Sequence, residues 1–247
     1  MAVHNHLVTD RISRAFEWRL RHYFMRVMGR RIDEESGKHF YNFERARQMR
    51  ATLDSMDYAD ANMRDAAVYP ERRDVLSHGL REVGIEGLYL EFGVWRGRTI
   101  NFIAEHCDGM VHGFDSFEGL PEDWTADYQQ GHFTTQGTLP SVRSNVQLHV
   151  GWFDQTLPDF VREHPEPIAF MHVDCDLYSS TKTAFDAVAD RIVPNTVIVF
   201  DEYFNYPRWR EHEYKAFQEL VAARDLKYRY LAYNDRMSNA NVAVVIE

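Results

Sequence analysis

From residue 88 onward, short apolar runs alternate with stretches whose apolar positions fall three and four residues apart. LYLEFGV, MVHGFD, VQLHVGWF, IAFMHVD and TVIVFDE read as strands. RTINFIAEHC, TLPDFVREH, SSTKTAFDAVADRI and HEYKAFQELVAAR read as helices. Strands joined through helices run in one direction, which predicts an α/β fold with a mainly parallel sheet covered by helices. The last two runs, KYRYLAY and NVAVVIE, are separated only by the polar stretch NDRMSNA. That gap is too short for a crossover helix, so the pair is expected as a C-terminal antiparallel hairpin.

The first third of the chain has another pattern. Residues 11–31 carry seven arginines against one glutamate, with Ile12, Phe16, Leu20, Tyr23, Phe24 and Val27 near helical spacing. This is a basic amphipathic helix, which packs on the domain or a second subunit, or meets an anionic membrane surface or an acidic partner. From Ile32 to about Ile85 the chain reads as mostly helical, with Pro70 starting a new segment. The expected division is an N-terminal helical extension or lid, residues 1–75, and a main domain, residues 76–247. The apolar stripe of the basic helix also makes a homodimer an expectation.

Composition narrows the partners. A chain of 247 residues, 45% of them apolar, buries a full core. Its formal net charge of −10 argues against bulk nucleic-acid binding, which needs lysine and arginine opposite phosphates. Two cysteines, Cys107 and Cys175, give neither a disulfide framework nor a zinc spacing, and a reducing cytoplasm is expected. No run approaches the ~18 apolar residues of a membrane span, and the first residues hold no apolar signal core.

Chemistry-bearing residues gather where strands end. In Glu91-Phe92-Gly93-Val94-Trp95-Arg96-Gly97 a strand turns into a helix through two glycines. Gly93 accepts a positive φ, and Gly97 permits close approach of a ligand or backbone. The three-glycine dinucleotide fingerprint is absent, and Glu91 favours an ammonium over a phosphate. The next strand ends at Asp115, which either accepts both hydroxyls of a ribose or closes an Asx turn. Trp152 and Phe153 follow the third strand and are placed to cover an adenine or to fill core. Asp174-Cys175-Asp176 ends the fourth strand and Asp201-Glu202 the fifth, so the polar strand ends point to one crevice. Asp176 doubles as a helix cap, and His172 as a satisfied core residue.

The strings EFGVWRGRT, GFDSFEGLP, GWFDQTLP, VDCDLYSST and VIVFDEY, followed by HEYKAF, resemble the macrocin O-methyltransferase family, S-adenosylmethionine-dependent enzymes that tailor sugars and aminocoumarins. The resemblance runs from residue 88 to about residue 220. It implies a class I methyltransferase, a Rossmann-like seven-stranded sheet, acting on a hydroxyl of a small sugar-bearing or phenolic metabolite. It implies a cofactor set of Glu91, Phe92, Gly93, Val94, Trp95, Gly97, Thr99, Asp115, Ser116, Phe117, Gly151, Trp152 and Phe153. Mg2+ is implied at Asp174, Asp201 and Glu202, with Glu202 standing where the family usually has aspartate. Asp174 is the expected base, with His172 and His212 as rivals. Two other functions fit parts of the sequence. One is a metal-dependent glycosyltransferase using Asp174-Cys175-Asp176, which needs phosphate-binding cations where only Lys182 is near in sequence. The other is a non-catalytic adenosyl-binding protein. Acceptor recognition is expected from residues 32–75, Trp124 to Leu139 and Tyr203 to Arg210, where loops vary most.

Overall fold

The computed structural model describes residues 31–32, 39–40, 43–125, 127–236 and 239–247. The basic helix expected at 11–31 lies outside the described residues except for Arg31, and so do the membrane and dimer roles attached to it. The chain divides into two compact units, residues 1–54 and 55–247. In the first, β1 (Arg31–Ile32) pairs antiparallel with β2 (His39–Phe40). Helix α1 (Phe43–Asn62) follows and runs on into the second unit.

The second unit contains β3 (Ala67–Tyr69), α2 (Arg72–Arg81), β4 (Leu88–Phe92), α3 (Arg98–Glu105), β5 (Val111–Asp115) and β6 (Val146–Val150). Then come α4 (Phe153–Glu163), β7 (Ile168–Val173), α5 (Tyr178–Val188), β8 (Val197–Phe204), α6 (Glu213–Arg224), β9 (Tyr228–Asn234) and β10 (Ala240–Ile246). One sheet runs β3-β9-β10-β8-β7-β4-β5-β6. Strands β4 to β8 pair in parallel, and β10 is antiparallel to both β8 and β9. The Rossmann-like sheet and its C-terminal hairpin are therefore as expected.

The sheet has eight strands where seven were expected. The extra one is β3, which pairs in parallel with β9 at the sheet edge. Its three residues, Ala-Val-Tyr, are too few to show alternation, and they lie in a stretch that otherwise reads as helix. The third strand is also shorter than expected. It stops at Val150 because Gly151 takes a φ of +142° and Trp152 becomes the N-cap of α4.

Packing follows from the pattern. Every residue of β7 is buried, as befits a central parallel strand covered on both faces. On α3, Ile100, Ile103 and Ala104 are buried at helical spacing, and each isoleucine contributes roughly 1.5–3 kcal/mol by leaving water. Helix α2 approaches the sheet at Gly79, where a Cβ would stand 2.7 Å from Val199 Cγ2. Among the described residues no helix is long and apolar enough to cross a membrane.

The chain leaves β4 for β5 and β6 on one side, then returns to β7 on the other. The reversal lies between β4 and β7, and in such sheets the crevice beyond the carboxyl ends at the reversal is where ligands bind.

At the β5/β6 edge, buried His112 places Nδ1 3.1 Å from His149 Nε2, with the His164 ring 5.0 Å away. Burial, then the neighbouring His149 and His164, pushes His112 down from 6.5 to about 4. The unfolded chain therefore binds more protons between those values, and stability present above pH 6.5 is lost as pH falls toward 4. The thermal midpoint of the wild-type protein should fall more steeply across this window than that of His112→Phe. Equal slopes would remove His112 as the cause.

Candidate active site

The site is built around one backbone crossing. Gly93 takes a φ of +89°, and a Cβ there would lie 1.8 Å from the Asp174 carbonyl oxygen, so no other residue fits. The Gly93 N–H donates to Phe114 O at 3.0 Å, and the Asp174 N–H donates to Phe92 O at 2.8 Å. The ends of β4, β5 and β7 are thereby tied within a few residues of each other.

Asp115 clasps the loop that follows. Its Oδ2 accepts the N–H groups of Val94 and Trp95 at 2.8 and 2.7 Å, and its Oδ1 accepts that of Phe117 at 2.6 Å. The last of these is the Asx turn that the sequence offered as an alternative to a ribose contact. Trp95 and Phe117 are both held at positive φ by these bonds, and the Asp115 carboxylate still faces the crevice.

A cavity of about 1230 Å3 opens over the strand ends. Of the residues expected to form the site, Gly93, Val94, Trp95, Thr99, Asp115, Ser116, Gly151, Trp152, Phe153, His172, Asp174, Asp201 and Glu202 line it. Glu91, Phe92, Gly97 and Phe117 do not. Phe92 and Phe117 are core residues, and the close approach at Gly97 is made by Pro140, 2.9 Å from a notional Cβ. Glu91 is fully buried and its Oε1 lies 3.0 Å from His172 Nδ1, so it braces a histidine at the cavity floor instead of facing an ammonium. Burial raises the Glu91 pKa, and its bond to His172 works against that rise. His172 is thus both a satisfied buried residue and a cavity residue.

The acids divide differently from the expected trio. Ligand atoms of Asp174, Asp176 and Glu202 all lie within 4.8 Å of one another, and so do those of His172, Asp174 and Asp201. Asp174 belongs to both sets, while Asp201 and Glu202 belong to one each. Asp176, weighed in the sequence as a helix cap, makes no cap bond. Leu177 is the N-cap of α5, and Asp176 takes a φ of +61° and lines the cavity. Asp201 accepts from Arg72 Nη1 at 2.5 Å and from Asn241 Nδ2 at 2.6 Å. A register shift between Ala240 and Val242 accompanies the turn of Asn241 toward Asp201. Glu202 Oε2 is buried without a hydrogen-bond partner. Beneath it the buried Glu213 accepts the Glu202 N–H at 3.2 Å. Burial first, then the neighbouring acids, raises Asp174, Glu202 and Glu213 well above the usual carboxylate range. Asp176 is pushed up to about 7 by burial and Asp201, with Arg72 opposing.

The outer wall also differs from expectation. Trp124, Tyr128 and Phe133 line the cavity, but no residue from Tyr203 to Arg210 does. Tyr203, Tyr206 and Trp209 are buried in an aromatic cluster, with the Trp209 ring edge-on to Tyr58 and Tyr214. His212 is also absent from the lining. Lys182 pairs with Asp186 on its own helix. The cavity cations are Arg72 and Arg73, from the 32–75 segment expected to recognise the acceptor, Arg96 of the glycine loop, and Arg98 and Arg143, none of them given a role of its own in the sequence. No motif marked Arg72 or Asn241, whereas Glu213 lies in the HEYKAF string, to which the sequence attached no role.

Residues 90–203 match the family model of a methyltransferase domain. The chain is 31% identical over 144 residues to the 8-demethyl-8-(2,3-dimethoxy-alpha-L-rhamnosyl)-tetracenomycin-C 4'-O-methyltransferase of Streptomyces olivaceus, covering 49% of this chain and 54% of that protein. It is 28% identical over 160 residues to the mycinamicin III 3''-O-methyltransferase of Micromonospora griseorubida, covering 53% and 61%. The chain therefore spans less than two thirds of the length of these relatives. The fold is similar to that of the calicheamicin methyltransferase CalS11, with a TM-score of 0.58 at 22% identity over 84% of this chain and 94% of that one.

Removing the clasp tests the construction. Asp115→Ala leaves the Val94 and Phe117 amides without their acceptor, at an expected cost of about 2 kcal/mol in urea denaturation. A change within about 0.5 kcal/mol, as for an ordinary surface substitution, would contradict it.

Proposed function

We propose that this chain, which over residues 90–203 matches the model of a methyltransferase domain, is an S-adenosylmethionine-dependent O-methyltransferase acting on a hydroxyl of a sugar-bearing small molecule. One observation carries the reading: the glycine loop, Asp115 and the carboxylate cluster line a single cavity. Its volume, about 1230 Å3, exceeds the ~300–1,000 Å3 of ordinary ligand pockets, so donor and acceptor fit together. The two curated relatives are O-methyltransferases by name, and the first, whose named substrate carries a rhamnosyl group, supports a sugar hydroxyl as the acceptor. The methyltransferase-domain match leaves the glycosyltransferase reading without support.

The residues suit both groups this activity needs. Gly93, Gly151 and the cavity face of Asp115 leave room for a nucleoside, with Trp152 and Phe153 beside it. For a divalent ion the donors are hard oxygens, and Glu202 offers an oxygen with no partner of its own. When bound, S-adenosylmethionine supplies an electrophilic methyl group and a Mg2+ ion supplies charge that acidifies a hydroxyl.

The chain aligns the reactants and moves one proton. Asp174 belongs to both acidic sets, and it would accept the proton that an acceptor hydroxyl loses on methylation. Glu91 holds His172 through Nδ1, and the ring sits in a ligand set with Asp174 and Asp201. The aromatic side chains Trp124, Tyr128 and Phe133 form an acceptor wall.

Calorimetry should detect S-adenosylhomocysteine and not a UDP-sugar, and the reverse result would overturn the assignment. Asp174→Asn should lower turnover by about 100-fold or more while leaving S-adenosylhomocysteine affinity nearly unchanged. Chelation should abolish methyl transfer to a glycosylated acceptor and Mg2+ should restore it. A rate indifferent to chelator would take the ion out of the scheme.

A further inference from the structure

The acidic cluster already touches a cation that belongs to the chain. Arg72 opens α2, and its guanidinium reaches across the cavity to donate to Asp201 Oδ2 at 2.5 Å and to Asn239 O at 3.0 Å. Glu202 Oε1 lies 3.8 Å from the same nitrogen. With Asn241 on its other oxygen, Asp201 has both oxygens engaged, although its position puts it in a ligand set with His172 and Asp174. The Asp174, Asp176 and Glu202 set is differently placed. Glu202, 5% exposed, meets Arg72 only at the 3.8 Å of its Oε1, and its Oε2 is buried without a hydrogen-bond partner.

Geometry and charge then set two cations against each other. An octahedral ion with oxygens at about 2.1 Å needs ligands roughly 3 to 4 Å apart, and the observed spread of up to 4.8 Å closes with small side-chain rotations. An ion seated there lies close to a guanidinium that contacts Asp201 and approaches Glu202. Like charges at that range repel strongly in a partly buried site. The Arg72 side chain is a third exposed and projects from the first turn of its helix, so it can withdraw without moving α2.

We propose that Arg72 is the resident counter-ion of this cluster, and that a divalent cation and the Arg72 guanidinium exclude each other. Binding of the ion among Asp174, Asp176 and Glu202 releases Arg72 from Asp201, and Asp201 then becomes available to the ion. Arg72 is in this account a positioning residue: it holds Asp201 in place until the ion arrives and sets the affinity with which it arrives. The inference rests on the divalent-ion part of the proposed function.

Mn2+ titrated into the full chain and followed by electron paramagnetic resonance tests it. Arg72→Met, which keeps the apolar stem and removes the charge, should bind Mn2+ about 10-fold or more tighter than wild type, with Arg72→Lys between them. Equal or weaker binding by Arg72→Met would overturn the proposal and make Arg72 a brace of the site. Failure of every form to bind Mn2+ would overturn both this proposal and the metal part of the function, while S-adenosylhomocysteine calorimetry would still judge the methyltransferase reading on its own. A wild-type measurement covers the case in which the variants do not fold. Modification of Arg72 by phenylglyoxal, read by peptide mass spectrometry, should accelerate when Mg2+ is added. A rate that is unchanged or lower would count against release.

Discussion

The contact between Gly93 and the Asp174 carbonyl fixes everything that lies above it. Because no side chain can stand at position 93, the β4 turn passes directly over the end of β7, and the glycine loop lies in backbone contact with the first acid of the cluster. The Asp115 carboxylate fastens the same loop to β5. The two halves of the site are therefore not independent. A shift in the glycine turn moves the loop and the acids together, the coupling that the proposed transfer between two bound molecules would need.

The second constraint is electrostatic. Asp174, Asp176, Asp201, Glu202 and Glu213 meet where water is largely excluded, and each ionised carboxylate removed from water costs several kcal/mol unless it is compensated. Stability does not explain such a cluster. The structure answers with Arg72, with Asn241 aimed by a register shift, and with pKa values raised by burial. Acids kept ready to lose a proton or gain a cation are the mark of a working site. Glu91 and His172 repeat the pattern one layer down, where a buried carboxylate fixes a buried ring.

Much of this was legible in the residues. The alternation of apolar runs and helical spacing gave the sheet and its one antiparallel strand, and the polar strand ends Gly93, Asp115, Asp174 and Asp201 marked one crevice because topology sends successive parallel strands to the same edge. What escaped was set by tertiary contact. The strand Ala67–Tyr69 is too short to carry a period, and it forms because β9 offers an edge. Glu91 looked like a ligand because it precedes the loop, but strand alternation turns it under the sheet end toward His172. Arg72 and Asn241 come from segments with no motif, Glu213 sits in a string to which no role was attached, and only the packing of α2, β10 and α6 brings them to the acids. Tyr203 to Arg210 read as a binding loop because it is aromatic and irregular, yet its rings are spent on the core around Trp209.

The most direct test is anomalous diffraction from crystals grown with S-adenosylhomocysteine and Mn2+. The account expects a metal peak about 2.1–2.2 Å from oxygens of Asp174, Asp176 and Glu202, with the thioether sulfur over the Gly93 turn and pointing toward it. A nucleoside and a metal found in separate cavities, or a metal peak that leaves Asp174 uncoordinated, would contradict it.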